Sequence, residues 1–138
     1  MTRNALALLA GYIVGASLNM AIIQLNMHIL YPMPPGMNMG DPIQFNTYIA
    51  TLPTLAFLVV IIAHLTQAFV GGWVAARLAH SYPFRVALTI GAVSLAGGIA
   101  AMSRIEGPAW LIVELPLYIA VAWTAGRMEE KRRSAITT

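Results

Sequence analysis

The sequence has no cysteine, which excludes disulfides, thiolate metal sites and a cysteine nucleophile. Charge is nearly as scarce: 9% of the 138 residues are Asp, Glu, Lys or Arg, against about 25% in an ordinary soluble domain. No charged residue lies between Arg3 and Asp41, and none between Asp41 and Arg77. Uncharged runs of that length exclude an ordinary soluble fold and read as membrane spans. The few basic residues are too scattered to form a stripe, so the net charge of +3 is no nucleic-acid footprint and no nucleic-acid partner is expected. His64 has no neighbouring Ser or Cys nucleophile, and an HExxH pair is missing, so an intramembrane hydrolase has no support. Nothing implies a cofactor.

What is present is apolar: 59% of the residues are hydrophobic, above the roughly 45–50% of soluble domains. The pattern predicts an all-α integral membrane protein, a four-transmembrane-helix bundle forming a single domain over 1–138. Its helices are expected at about 4–30, 52–77, 86–103 and 108–127, with an outer loop at 31–50. Thr51 ahead of Leu52 and Pro53, and Gly107 ahead of Pro108, read as helix starts, because proline is tolerated where an N–H would be unpaired. Tyr82 and Pro83 mark a tight turn. Asp41, Pro42 and Gln44 read as a capping box opening a short surface helix through Phe45, Tyr48 and Ile49. Arg3 followed by apolar residues also resembles the start of a signal peptide, but the apolar stretch runs well past the usual length of its core.

Charge asymmetry orients the bundle. Arg3, Arg77, Arg85, Arg127, Lys131, Arg132 and Arg133 fall on one side and Arg104 alone on the other, so both termini are expected in the cytoplasm. Arg77, Arg127, Trp73 and Trp123 are the expected interface anchors, with Trp110 at the opposite interface. The tail from Arg127 to Arg133 is read as an orientation anchor, its attraction to anionic lipid diluted by Glu129 and Glu130.

Helices in lipid associate through close packing and interhelical hydrogen bonds. Small residues at suitable spacing occur at Gly11 and Gly15, at Ala68, Gly72 and Ala76, at Ser94 and Gly98, and at Gly97 and Ala101. Small residues on several faces leave room for a second copy or another membrane subunit beside the lipid bilayer. Trp73 to Arg77 and Trp123 to Arg127 share a Trp-x-Ala-small-Arg pattern. That correspondence suggests a two-fold repeat of helix pairs, although interfacial anchoring alone explains much of it.

Two ionisable residues lie inside predicted spans, His64 and Glu114, each thirteen residues before its arginine and so at a similar depth. His64 shares a face with Gln67, Ala68, Gly71 and Ala75; Glu114 shares one with Trp110 and Tyr118. Pro116 is expected to leave the Ile112 carbonyl free, and Asn19 and Asn26 extend the Gly11/Gly15 stripe. Glu114, His64, Gln67, Asn19 and Tyr118 are therefore the candidate intramembrane polar site, read either as a proton-linked site or as a hydrogen bond that fixes register. In the outer loop, Met33, Met37, Met39 and His28 form a candidate Cu(I) set on ligand softness. Thioethers at a membrane surface also simply pack, so the working expectation is no metal.

The run Gly71-Gly72-Trp73-Val74-Ala75-Ala76-Arg77-Leu78-Ala79, with Arg85-Val86-Ala87-Leu88, Pro108-Ala109-Trp110 and Leu115-Pro116, resembles small four-helix bacterial membrane proteins of uncharacterised function. The resemblance implies a bacterial inner membrane and the four-helix layout, and carries over no activity. The functional expectation is a non-enzymatic accessory or assembly subunit of a larger membrane complex. Its alternative is a small proton-linked transporter or channel with Glu114 and His64 as the intramembrane site.

Overall fold

The computed structural model describes residues 2–137, and side chains from 3 to 136. The chain is helical, with no strand among the described residues. Helix α1 (Thr2–Leu25) passes into a π-helical turn at Asn26–Leu30; α2 is Pro42–Thr51, α3 Thr54–Leu78 and α4 Pro83–Met102. A 3-10 turn at Ala109–Val113 leads into α5 (Glu114–Thr137). Four helical segments are long and apolar enough to cross a membrane: Arg3–Leu30, Thr54–Leu78, Pro83–Met102 and Ala109–Ile136.

Two boundaries differ from expectation. The fourth span is not one α-helix over 108–127: it begins as the 3-10 turn, becomes α-helical at Glu114, and continues to Thr137. Pro116 then sits in the first turn of α5, where its missing N–H breaks no bond. The extension past Arg127 carries no apolar stripe, so hydrophobic periodicity could not find it. Ion pairs at helical spacing support it instead, between Arg127 and Glu130 and from Glu129 to Arg132 and Arg133. Thr51 does not open the second span either: it ends α2, Pro53 is the extended residue before α3, and Thr54 starts that helix. Asp41 caps α2 as expected, its Oδ1 accepting from Ile43 N at 2.9 Å, while Gln44 Nε2 donates to its Oδ2 at 2.9 Å.

Helix α3 is the hub and touches α1, α4 and α5, whereas α1 packs chiefly on α3. The buried centre is built of small side chains, with Ala56, Ala63, Ala68, Ala75, Ala76, Ala87, Ala122 and Ala125 all fully covered. Large apolar side chains such as Leu6, Leu9, Ile13, Ile62 and Ile99 lie outside. This is the inversion a lipid solvent permits, because burying leucine among leucine-like tails gains little and close backbone approach gains more.

The closest approach joins α1 to α3. A Cβ on Gly11 would stand 2.6 Å from Ala75 Cβ, and one on Gly15 would stand 2.6 Å from Gln67 O. The Ala68/Gly72/Ala76 ladder is turned away from that seam, with Gly72 against Ala87 of α4 and Ala125 of α5. At the α4–α5 seam, a Cβ on Gly91 would meet Ala122 Cβ at 2.6 Å, and one on Gly98 the Tyr118 ring at 2.8 Å.

The first turn of α1 and the last turns of α5 both meet the α3–α4 turn. Asn4 Nδ2 donates to Ser81 O at 2.9 Å and its Oδ1 accepts from His80 N at 2.9 Å. Tyr82 in that turn has φ 53°, a left-handed conformation unusual for a side chain of its size, and Arg85 stacks 5.1 Å over its ring. At the opposite end, Tyr48 of α2 donates to Tyr31 O at 2.6 Å, and Glu106 N donates to Asn46 Oδ1 at 3.2 Å.

Candidate functional site: a polar pocket between the helices

The parallel helices α3 and α5 bring His64 and Glu114 together, with Nδ1 3.2 Å from Oε2. Tyr118, one turn along α5, donates its hydroxyl to Glu114 Oε1 at 3.3 Å. Each carboxyl oxygen thus has one partner, and the residue is only 3% exposed. The start of α5 at Glu114 puts this carboxylate in a first helical turn, where the dipole's positive end favours negative charge. The His64 ring lies 6.2 Å from that of Tyr118.

Beside this trio lies a partly enclosed cavity of roughly 200 Å³. Asn19 of α1, His64 and Gln67 of α3, and Tyr118 of α5 line it, so four of the five expected polar residues share one space and the fifth stands directly behind His64 and Tyr118. Helix α4 contributes Ser94, Gly97, Gly98 and Ala101. Gly97 has open space where a side chain would be, and Gly98 leaves room for the Tyr118 ring.

Two of the lining residues hold a polar atom with no partner among the described residues: Asn19 Oδ1 and Ser94 Oγ are both buried and unbonded. Ser94 is 5% exposed. Hydroxyls elsewhere on these helices bond the carbonyl four residues back, as Thr47, Thr89 and Thr124 do. Ser94 does not, and its Oγ is left without a partner among the described residues, on a residue that lines the cavity.

Sequence reasoning placed Ser94 and Gly98 in a packing ladder and did not see them as cavity walls. The available signal was a hydroxyl beside two consecutive glycines, on a helix with no other reason for a gap there. Asn26 stays apart: it is buried under the loop end, its Nδ2 donating to Ala56 O at 3.2 Å while its Oδ1 is unpartnered.

A second buried carboxylate was missed. Glu129 is fully covered and takes Arg132 at 2.6 Å, Arg133 at 2.8 Å and Arg77 at 3.4 Å. Arg133 also donates to the last carbonyls of α3, Ala76 O at 2.7 Å and Ala79 O at 2.8 Å. Of the expected anchors, Arg77 joins this knot, while Arg127 pairs with Glu130 and stacks on Phe84 and Trp123 at 4.6 and 5.4 Å. Trp73 and Trp123 are exposed at 40% and 47%, so their rings face out at the same end of the bundle.

His28 and Met39 are exposed, Met33 and Met37 half-buried, in the loop-end segment. Among the described residues, no three His, Cys, Asp or Glu side chains are grouped to hold a metal ion. The chain matches no protein-family model, no characterised protein by sequence and no solved structure by fold.

Proposed function

We propose that this is a small, non-enzymatic, proton-linked membrane transporter or channel whose working site is the His64–Glu114–Tyr118 trio and the cavity beside it. The observation that carries the reading is a cavity lined by Asn19, Gln67 and Ser94 directly beside a buried carboxylate whose partners are a histidine and a tyrosine. A hydrogen bond that only fixed register would need His64 and Glu114, not a polar chamber next to them. Glu114 and His64 carry the exchanged proton between them, and Asn19, Gln67 and Ser94 line the solute's space.

The test is a reconstitution into liposomes holding a pH-sensitive dye. Proton movement across the membrane that Glu114→Gln abolishes, with unchanged helicity and detergent behaviour, is the expected result. Equal movement in the variant would remove the reading.

Seven basic residues against one support termini in the cytoplasm, and the resemblance to small four-helix bacterial proteins supports an inner membrane as the setting. The contact of the register-matched His64 and Glu114 on parallel helices supports an ancestral duplication of a helix pair.

One observation favours a second reading, an accessory or assembly subunit: α1 leaves Tyr12, Ile13, Ser17, Met20 and Gln24 along a shallow exposed groove. A membrane partner of fixed stoichiometry in a mild-detergent pull-down, lost when Ser17→Phe fills that groove, would support it. A homo-oligomer, or the protein alone, returns the weight to the polar pocket. The Cu(I) set Met33, Met37, Met39 and His28 stays a separate proposal, removed if protein loaded with Cu(I) retains none.

A further inference from the structure

We infer that the cavity's ligand is a small, hydrogen-bond-donating monovalent cation of the ammonium or guanidinium class, taken up in exchange for one proton. This rests on the proton-linked reading of the same site and names its substrate class. The walls offer a defined set of hydrogen-bonding groups. With Glu114 accepting from both His64 Nδ1–H and Tyr118 Oη–H, the remaining His64 nitrogen, Nε2, has only its lone pair, and the Tyr118 oxygen is likewise left as an acceptor. Asn19, Gln67 and Ser94 can donate or accept.

The wall therefore has a carboxylate behind it and two side chains, His64 and Tyr118, left as acceptors. Of the charged or titratable groups, α3 supplies His64 and α5 supplies Glu114 and Tyr118, while α1 and α4 contribute neutral Asn19 and Ser94, and among the described residues no Lys or Arg lines the space. A donor-rich cation satisfies the two acceptors and the carboxylate's charge, whereas an anion is repelled by that charge.

Charge balance follows from the same three residues. When His64 is neutral, the trio carries one negative charge, and a bound cation neutralises it. When His64 takes a proton at Nε2, the imidazolium and carboxylate cancel each other, and the Nε2 lone pair facing the cation is consumed. The cation then leaves, so one cation exchanges for one proton with the buried charge held at zero in both states. Keeping it at zero avoids the large cost of an uncompensated charge in a low-dielectric interior. A volume of roughly 200 Å³ holds about six waters at their liquid share, enough for a ligand of a few non-hydrogen atoms.

The test uses three planar probes of nearly equal size: guanidinium, neutral urea and anionic nitrate. Each is titrated at millimolar concentration, far below denaturing levels, into the full chain in lipid nanodiscs by calorimetry, in buffers of different ionisation enthalpy. The expected result is saturable guanidinium binding with close to one proton released, urea at least about tenfold weaker, and no nitrate binding. Ser94→Ala should weaken guanidinium about tenfold without loss of folding, because it removes a hydroxyl that bonds nothing in the protein. Urea binding as tightly as guanidinium, or no probe binding, overturns the cation assignment.

Guanidinium gradients across dye-loaded liposomes separate the two claims. Binding without proton movement keeps the cation site and removes transport. Proton movement without guanidinium binding keeps transport and removes the cation.

Discussion

Helix α5 carries two buried carboxylates, and their surroundings are opposites. Glu129 is held by three guanidinium groups, one of which also caps the end of α3. Glu114 has only an imidazole and a phenol, with a cavity next to them. Arginine never gives up its proton in a protein, so every contact to Glu129 is permanently charged. An imidazole exists in a neutral and a protonated form, so the Glu114 site has two electrostatic states and the Glu129 site has one. The difference teaches that burial of an acid does not by itself mark a working site. What marks it is a partner whose charge can change, next to space for a ligand.

That contrast can be broken at either end. The largest effect is expected at the locked site. Glu129→Gln leaves Arg77, Arg132 and Arg133 without their shared charge and frees the end of α5, for a loss of about 3 kcal/mol. Thermal denaturation in detergent and faster tryptic cleavage within residues 127–133 would report it; an unchanged midpoint would show that the knot is ornamental.

Next comes Gly98→Ala, whose Cβ would stand 2.8 Å from the Tyr118 ring and push it off Glu114. Overpacking of this kind costs about 1–2 kcal/mol, and proton movement should fall with it. Gly97→Ala is the matched control, since nothing lies within 4 Å of the added methyl.

Glu114→Gln should cost only about 1 kcal/mol, because the amide oxygen still accepts one hydrogen bond, while removing proton dependence altogether. A stability loss as large as that of Glu129→Gln would erase the distinction between the two acids.

The smallest effect belongs to a third carboxylate. Asp41 is exposed, and the Gln44 side chain, followed by the Ile43 and Gln44 amides, holds its carboxyl below the ordinary 3.8. A lowered folded-state value means stabilisation present above the unfolded value and lost as pH falls through the folded one. Amide exchange at Ile43 and Gln44 should therefore quicken only below about pH 4, with the rest of the bundle unaffected.

Much of the candidate site was legible before any coordinates. His64 and Glu114 stand equally far from their arginines, and parallel helices turned that equality into a contact. Tyr118 follows Glu114 by one turn, which lets its hydroxyl reach the carboxylate. Ser94 was not legible as part of the site, because a small residue near two glycines looks the same in sequence whether it packs or faces a void. Glu129 was hidden differently: its partners on α5 sit at helical spacing, but Arg77 lies on another helix and a charged tail reads as solvated.

The sequence by itself determined the helical spans, their alternation and the cap on α2, since these depend on hydrophobic length, proline position and short-range hydrogen bonds. Only the tertiary structure decided where the helices part. Small residues let α1 and α3 close to backbone contact at Gly11 and Gly15, and α4 close on α5 at Gly91, while at Gly97 the same kind of residue meets nothing. Whether a glycine makes a seam or a chamber depends on what the neighbouring helix sets opposite it, and that is a property of the packed bundle.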